Sequence, residues 1–166
     1  MIMGFSTILD GKPTLFVEKI WAGLLQMDNE LYSDYLHPDG KPSQMKTASE
    51  YREFTPKIHT IRIDINNRWK KGNEIDFFIN VRKSNMFRFA PRIPVVSIQR
   101  IFITVDNGLE ISISGRQLSN SELKDLAIND GFENVADFET YFQQIILKTE
   151  DQCFSGKIIH WTDKSY

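Results

Sequence analysis

With 166 residues, 41% hydrophobic and 25% charged, the chain has the makeup of one ordinary globular domain, large enough to build a core without metal or disulfide staples. Cys153 is the only cysteine and lies far from the three histidines, so no internal disulfide and no standard zinc spacing is available, and neither a metal nor a cofactor is expected. The formal net charge of −2 hides an uneven distribution: residues 52–92 carry ten Lys or Arg against four acids, a local +6, while the remainder stands at −8.

The opening MIMGFSTILDGKP lacks the basic stretch and long apolar run of a secretory signal, and no segment reaches the ~18 unbroken apolar residues of a membrane span. A cytoplasmic chain without membrane association is the expectation. After FSTIL, the spacing of Leu15, Phe16, Ile20 and Leu24 predicts a helix from about Pro13 to Gln26, with Pro13 in its first turn. Residues 27–56 have no clear period and include HPDGKPSQ, so they read as a long loop or insertion, functional or partly ordered by short helices. KIHTIRIDINNRW and GNEIDFFINVR read as strands separated by a turn at Lys71-Gly72-Asn73. VVSIQRIFITVDNGLEISIS predicts a hairpin turning at Asn107-Gly108, a type I′ pair, with Ile101, Ile103 and Val105 on one face and Leu109, Ile111 and Ile113 likewise. Ser119 and Glu122 form a capping box for a helix over 120–129, stopped by Asp130-Gly131. Asn134 caps a second helix whose Phe138, Tyr141, Phe142, Ile145 and Ile146 make a core-facing stripe, and GKIIHWTD reads as a closing strand. Helices alternate with mainly antiparallel strands, without a βαβ rhythm.

The GxSxG, HExxH and GxxxxGKS patterns are all absent. What stands out is KIHTIR at residues 57–62, followed by RWKKGNEIDFF. That segment resembles the signature of the ASCH family: a helix, a loop, a Lys-x-x-Thr-x-Arg element, then a glycine-containing step into a barrel strand. PTLFVEKIWAGLL is similar to the family's first helix, LKDLAINDGFENVADFETYF to its paired helices and GKIIHWTD to its closing strand, leaving only about residues 27–56 outside the likeness. The resemblance implies an α+β fold: one domain over 1–166, a small mixed, mainly antiparallel PUA-like β-barrel flanked by helices, with an insertion at about 27–56.

It also implies RNA or a modified nucleoside as ligand. Some small bacterial members remove the acetyl group of N4-acetylcytidine with a lysine, a threonine and a glutamate. Lys57 and Thr60 match the first two, and Asp130 stands where the family has its glutamate, with a shorter reach. The chemistry is coherent on its own terms, because amide hydrolysis needs a nucleophile, a proton acceptor and oxyanion donors. Thr60 supplies a hydroxyl, and a desolvated Lys57 of lowered pKa supplies a base. Positions 57 and 60 face opposite ways in a regular strand, so the pair meets only if the chain bends between them.

Arg62 is placed to hold a phosphate or carbonyl, Arg68, Trp69 and Lys70 to stack a base and grip phosphate, and Phe132 to wall a base pocket. The plainer readings are solvated charges, a tryptophan plugging the barrel end and a phenylalanine anchoring the helix pair. His37 and His59 are given no role. Two further classes stay open. One is a noncatalytic RNA-binding module using the basic third, and the other is a protein-interaction domain using residues 27–56, where Leu31, Tyr32, Tyr35 and Leu36 either dock a partner or fold back onto the core.

Overall fold

The computed structural model describes residues 1–36, 46–106 and 108–166. Strand β1 (Ile2–Phe5) leads into a two-strand hairpin, β2 (Ile8–Leu9) and β3 (Lys12–Pro13). This hairpin replaces the expected first turn of the helix. Asp10 (φ 48) and Gly11 (φ 77) both take positive φ, the requirement of a type I′ turn, and the register pairs Leu9 with Lys12. Helix α1 therefore starts later, at Phe16, and runs to Met27 behind a left-handed Leu15 (φ 55).

Residues 27–56 are partly ordered by two short helices, α2 (Leu31–Leu36) and α3 (Ala48–Tyr51), the second opened by a Thr47/Glu50 capping box. Leu31, Tyr32 and Tyr35 turn inward, with the two tyrosine rings 5.4 and 5.6 Å from that of Trp21. HPDGKPSQ, His37 and the side chain of Leu36 lie outside the described residues, as does Asn107.

The remaining elements are β4 (His59–Arg62), β5 (Glu74–Ile79), β6 (Phe87–Arg88), β7 (Ile93–Pro94), β8 (Ser97–Val105), β9 (Leu109–Ile113), β10 (Arg116–Gln117), α4 (Asn120–Asn129), α5 (Val135–Ile146) and β11 (Cys153–His160). The hairpin β8–β9 forms with the expected faces, Ile101, Ile103, Ile111 and Ile113 being buried. Its register pairs Val105 with Leu109, so three residues connect the strands where two were expected. The paired helices match their capping signals: Ser119 and Glu122 form the box of α4, and the Asn134 side chain accepts from Asp137 N.

The fold is α+β and mainly antiparallel. One sheet runs β10-β9-β8-β11-β4; the other centres on β5, flanked by β1 in parallel and by β6 and β7 antiparallel. Segment 93–105 passes from one sheet to the other, with β7 on β5 and β8 on β11, while Val95 N donates to Asn73 O and Val96 N to His160 O. Among the described residues the ladders do not close into a barrel, because no ladder joins β1 to β4. A side chain spans that seam, Arg62 Nη2 donating to Gly4 O at 2.8 Å. Two cores result: Trp21, Phe77, Phe89 and Trp161 fill one beside α1, and Leu126, Phe138, Phe142 and Ile158 fill the other under α4 and α5.

Candidate functional site

Strand β4 is the edge of its sheet, and edge strands carry unpaired backbone groups that must be covered. The C-terminal end of α4 covers this one: Ile58 N donates to Asn129 O at 3.0 Å and Ile61 N to Asp130 Oδ1 at 3.2 Å. Lys57 precedes the strand, outside regular β geometry, and its N–H bonds Lys19 O of α1 at 2.9 Å. Gly23 permits that approach, since a Cβ there would lie 2.9 Å from Lys57 O. Three elements thus meet at one corner: α1, the end of α4 and the start of β4.

Lys57 points into that corner. Its side chain is 2% exposed and its Nζ donates to Asp130 Oδ1 at 2.8 Å and to Asp130 O, 4.8 Å from the centre of the Phe16 ring. Burial pulls the lysine down from the usual 10.5 to about 8, although the Asp130 carboxylate works in the opposite direction. Burial pushes Asp130 upward, but Lys57 and His59 more than offset this and hold its carboxyl below the ordinary carboxylate range. The resting state is an ion pair whose lysine loses its proton far more easily than a solvated one.

Asp130 also faces His59, whose Nδ1 lies 3.6 Å from Oδ1, longer than a good hydrogen bond, while burial pulls the imidazole's pKa down and favours the neutral ring. On its other side His59 Nε2 is 2.8 Å from the Tyr166 hydroxyl, which accepts from Asn129 Nδ2 at 2.9 Å. His160, paired opposite His59 in the ladder, is fully buried, and neither of its ring nitrogens has a hydrogen-bond partner among the described residues. Burial drives its pKa down to about 3, so the ring is neutral.

Thr60 is buried on the opposite face of β4 from His59, in register with Ile159. Its hydroxyl makes no hydrogen bond with Lys57, Asp130 or any other described residue. Arg62 shares that face, stacking over Phe5 (5.1 Å) as it reaches Gly4 O, so its Nη2 is engaged structurally. Trp69 is 7% exposed and belongs to the larger core, the plug reading of this residue; its indole is not an open stacking platform. Arg68 and Lys70 are exposed, next to a loop in which Asp64 accepts from Arg68 N, Trp69 N and Lys157 Nζ.

A cleft of about 260 Å³ opens beside the corner, between the β2–β3 hairpin, the start of α1 and the α4–α5 turn. Phe132 lines it, as expected for a wall residue, and also packs edge-on to Phe138 within the helix pair. Lys57 lies one layer beneath its Phe16 and Gly131 lining, and none of Arg68, Trp69 and Lys70 reaches it. Gly131 is required there twice over. Its φ is 93, and a Cβ would lie 2.9 Å from both Lys57 Cδ and the Phe16 ring.

Sequence reasoning missed Lys19, His160 and Tyr166. Lys19 had a signal, since it sits three residues after Phe16 and beside Ile20 on the inward stripe of α1, where an ammonium needs a partner. His160 and Tyr166 had none, because their meeting with His59 depends on long-range register. Among the described residues no helix is long and apolar enough to cross a membrane, and no cluster of His, Cys, Asp and Glu is arranged to hold a metal ion. Compared with protein families, curated proteins and solved structures, the chain matches none.

Proposed function

We propose that this chain is an ASCH-type, PUA-like domain that takes a modified nucleoside into the cleft at the α4–α5 turn and hydrolyses the amide of an N-acylated cytidine. The observation that carries the reading is the buried Lys57–Asp130 pair directly beneath that cleft. Two mainly antiparallel sheets joined through the continuous segment 93–105, with Arg62 reaching from one to Gly4 O of the other, are compatible with a PUA-like reading.

In this reading Lys57 is the base. With a pKa of about 8, about a tenth of the molecules at pH 7 hold it neutral, against about one in three thousand for an ordinary lysine. A neutral Lys57 accepts the proton of an attacking water and returns it to the departing N4 amine. Overall, water and the N-acylcytidine give cytidine and the free acid. Asp130 is a positioning residue, holding Lys57 Nζ toward Gly131 and stabilising the ammonium once the proton has arrived.

Mass-spectrometric assay of wild type, Thr60→Val and Lys57→Met against a panel of N-acylated cytidines tests this, with folding checked by circular dichroism. Acid release by the wild type that drops by about 10²–10⁴ in a folded Lys57→Met is the expected result. Release that persists in Lys57→Met removes the base role, and no release from any panel member removes hydrolysis. A second reading has its own observation: Lys70, Lys71, Arg82, Lys83 and Arg88 are exposed and enter no ion pair among the described residues. They suit a noncatalytic RNA-binding face, for which affinity falls with salt by a log–log slope of about −0.7 per phosphate contacted.

A further inference from the structure

We propose that Lys19 is the seat for an anionic group of the ligand, the monophosphate ester of a nucleotide, and that the Glu133 carboxylate occupies the seat until a ligand displaces it. The identity of the rest of the ligand rests on the nucleoside reading above; the seat itself rests on the geometry of Lys19. Its Nζ donates to Gly131 O at 2.8 Å and to Glu133 Oε1, and both partners line the cleft.

The two members of this pair are unequally bound to the protein. The Lys19 side chain is 5% exposed and that of Glu133 is 69% exposed. An ammonium so deeply buried cannot be left without an anion, because an unpaired buried charge is strongly destabilising. Glu133 is under no such constraint: it can swing into solvent, and a partner this exposed contributes little to the stability of the pair. The position therefore always holds an anion, and that anion is exchangeable.

The surroundings say which anion fits. Phe16 and Phe132 offer ring surface to a base or sugar beside the seat. Lys12 adds a second cation at the cleft, while Asp10 and Asp137 line it as well, the latter taking a hydrogen bond from Asn134 Nδ2. With three carboxylates and two ammonium groups, the cleft disfavours di- and triphosphates and suits a single phosphate that replaces the Glu133 carboxylate.

Calorimetric titration of inorganic phosphate, cytidine 5′-monophosphate and cytidine into wild type, Glu133→Gln and Lys19→Met tests the seat. Glu133→Gln removes the resident carboxylate at an exposed position, so it should tighten both phosphate probes by about three- to fivefold, the range of a surface ion pair, and leave cytidine unchanged. Lys19→Met should erase the preference for the monophosphate over cytidine. Unchanged phosphate affinity in Glu133→Gln overturns the seat, even if N-acylcytidine is hydrolysed. Tightening of phosphate alone, without recognition of any cytidine, supports the seat and removes the nucleoside reading instead. With the folding of Glu133→Gln checked by circular dichroism, its titration stands even if Lys19→Met fails to fold.

Discussion

The Lys57–Asp130 pair makes a quantitative demand on stability. Asp130→Asn is close to isosteric and keeps an oxygen to accept from Ile61 N, now at 3.2 Å, so it removes little except the charge. What remains is an ammonium at 2% exposure with only uncharged partners: the retained amide oxygen, a backbone carbonyl and the Phe16 ring. Breaking a buried pair from one side costs about 3–5 kcal/mol, and Lys57→Met, which leaves the carboxylate alone, belongs to the same range. The double variant holds neither charge, with the methionine filling the lysine stem's place under Gly131, and should lie within about 2 kcal/mol of the wild type. Urea unfolding at pH 7 of all four proteins closes the cycle, with an expected coupling of about 4 kcal/mol or more. Effects that add to within about 0.5 kcal/mol would show that the two side chains ignore each other and refute the reasoning.

Alkaline pH probes the same lysine. Its folded pKa of about 8 lies below the ordinary 10.5, so the unfolded chain binds more protons between those values and stability rises with pH there, by roughly 2–3 kcal/mol from pH 7 to 10. Above pH 10, Tyr51, raised by burial to about 12, and Tyr166, also raised, oppose the trend; a flat urea midpoint from pH 7 to 10 contradicts it. His160 acts at the acid end: with a folded pKa of about 3 it must charge on unfolding, so stability falls as pH drops from 6.5 toward 3, by about 3 kcal/mol at pH 4. His160→Leu should flatten that part of the acid limb in pH-dependent urea melts, and an unaltered limb excludes His160 as its source. Gly131→Ala should cost about 2 kcal/mol more than Gly11→Ala in thermal unfolding, since both glycines have positive φ but only the first has Lys57 and Phe16 in the way. Equal losses would mean that the corner has room to give.

Legibility in the sequence tracked the range of the forces involved. The capping boxes, the α5 stripe and the β8–β9 faces are local, set by residues two to four apart, and the structure has them where the pattern puts them. The start of α1 was misjudged because Pro13 suits a first helical turn as well as a short strand; the deciding signal was Asp10-Gly11, the same kind of pair as Asn107-Gly108, passed over beside a strong helical period. For Trp69 the sequence left two readings open, a stacking platform among basic neighbours or a plug, and the Asp64 loop turns its ring inward. At the site, Lys57 and Asp130 were within reach of the sequence. Their enclosure by Gly23, Gly131 and Phe16, and the partnership of Lys19 with Glu133, come from packing between segments distant in the sequence.

The corner where these segments meet is expensive in stability. Lys19, Lys57, His59 and Asp130 are buried together there, while the two cores on either side are built from apolar side chains. Apolar residues of similar volume would serve packing at least as well, and perturbed, partnered ionisable groups gather at sites of chemistry. A purely structural role is the competing account, in which Asp130 exists to dock α4 on the open edge of β4 through Ile61 N. The double variant separates the two. Asparagine at 130 preserves that docking, so a structural role predicts that it keeps both stability and any acyl release. A chemical role predicts that it keeps stability and loses release, because Lys57, the proposed base, has gone.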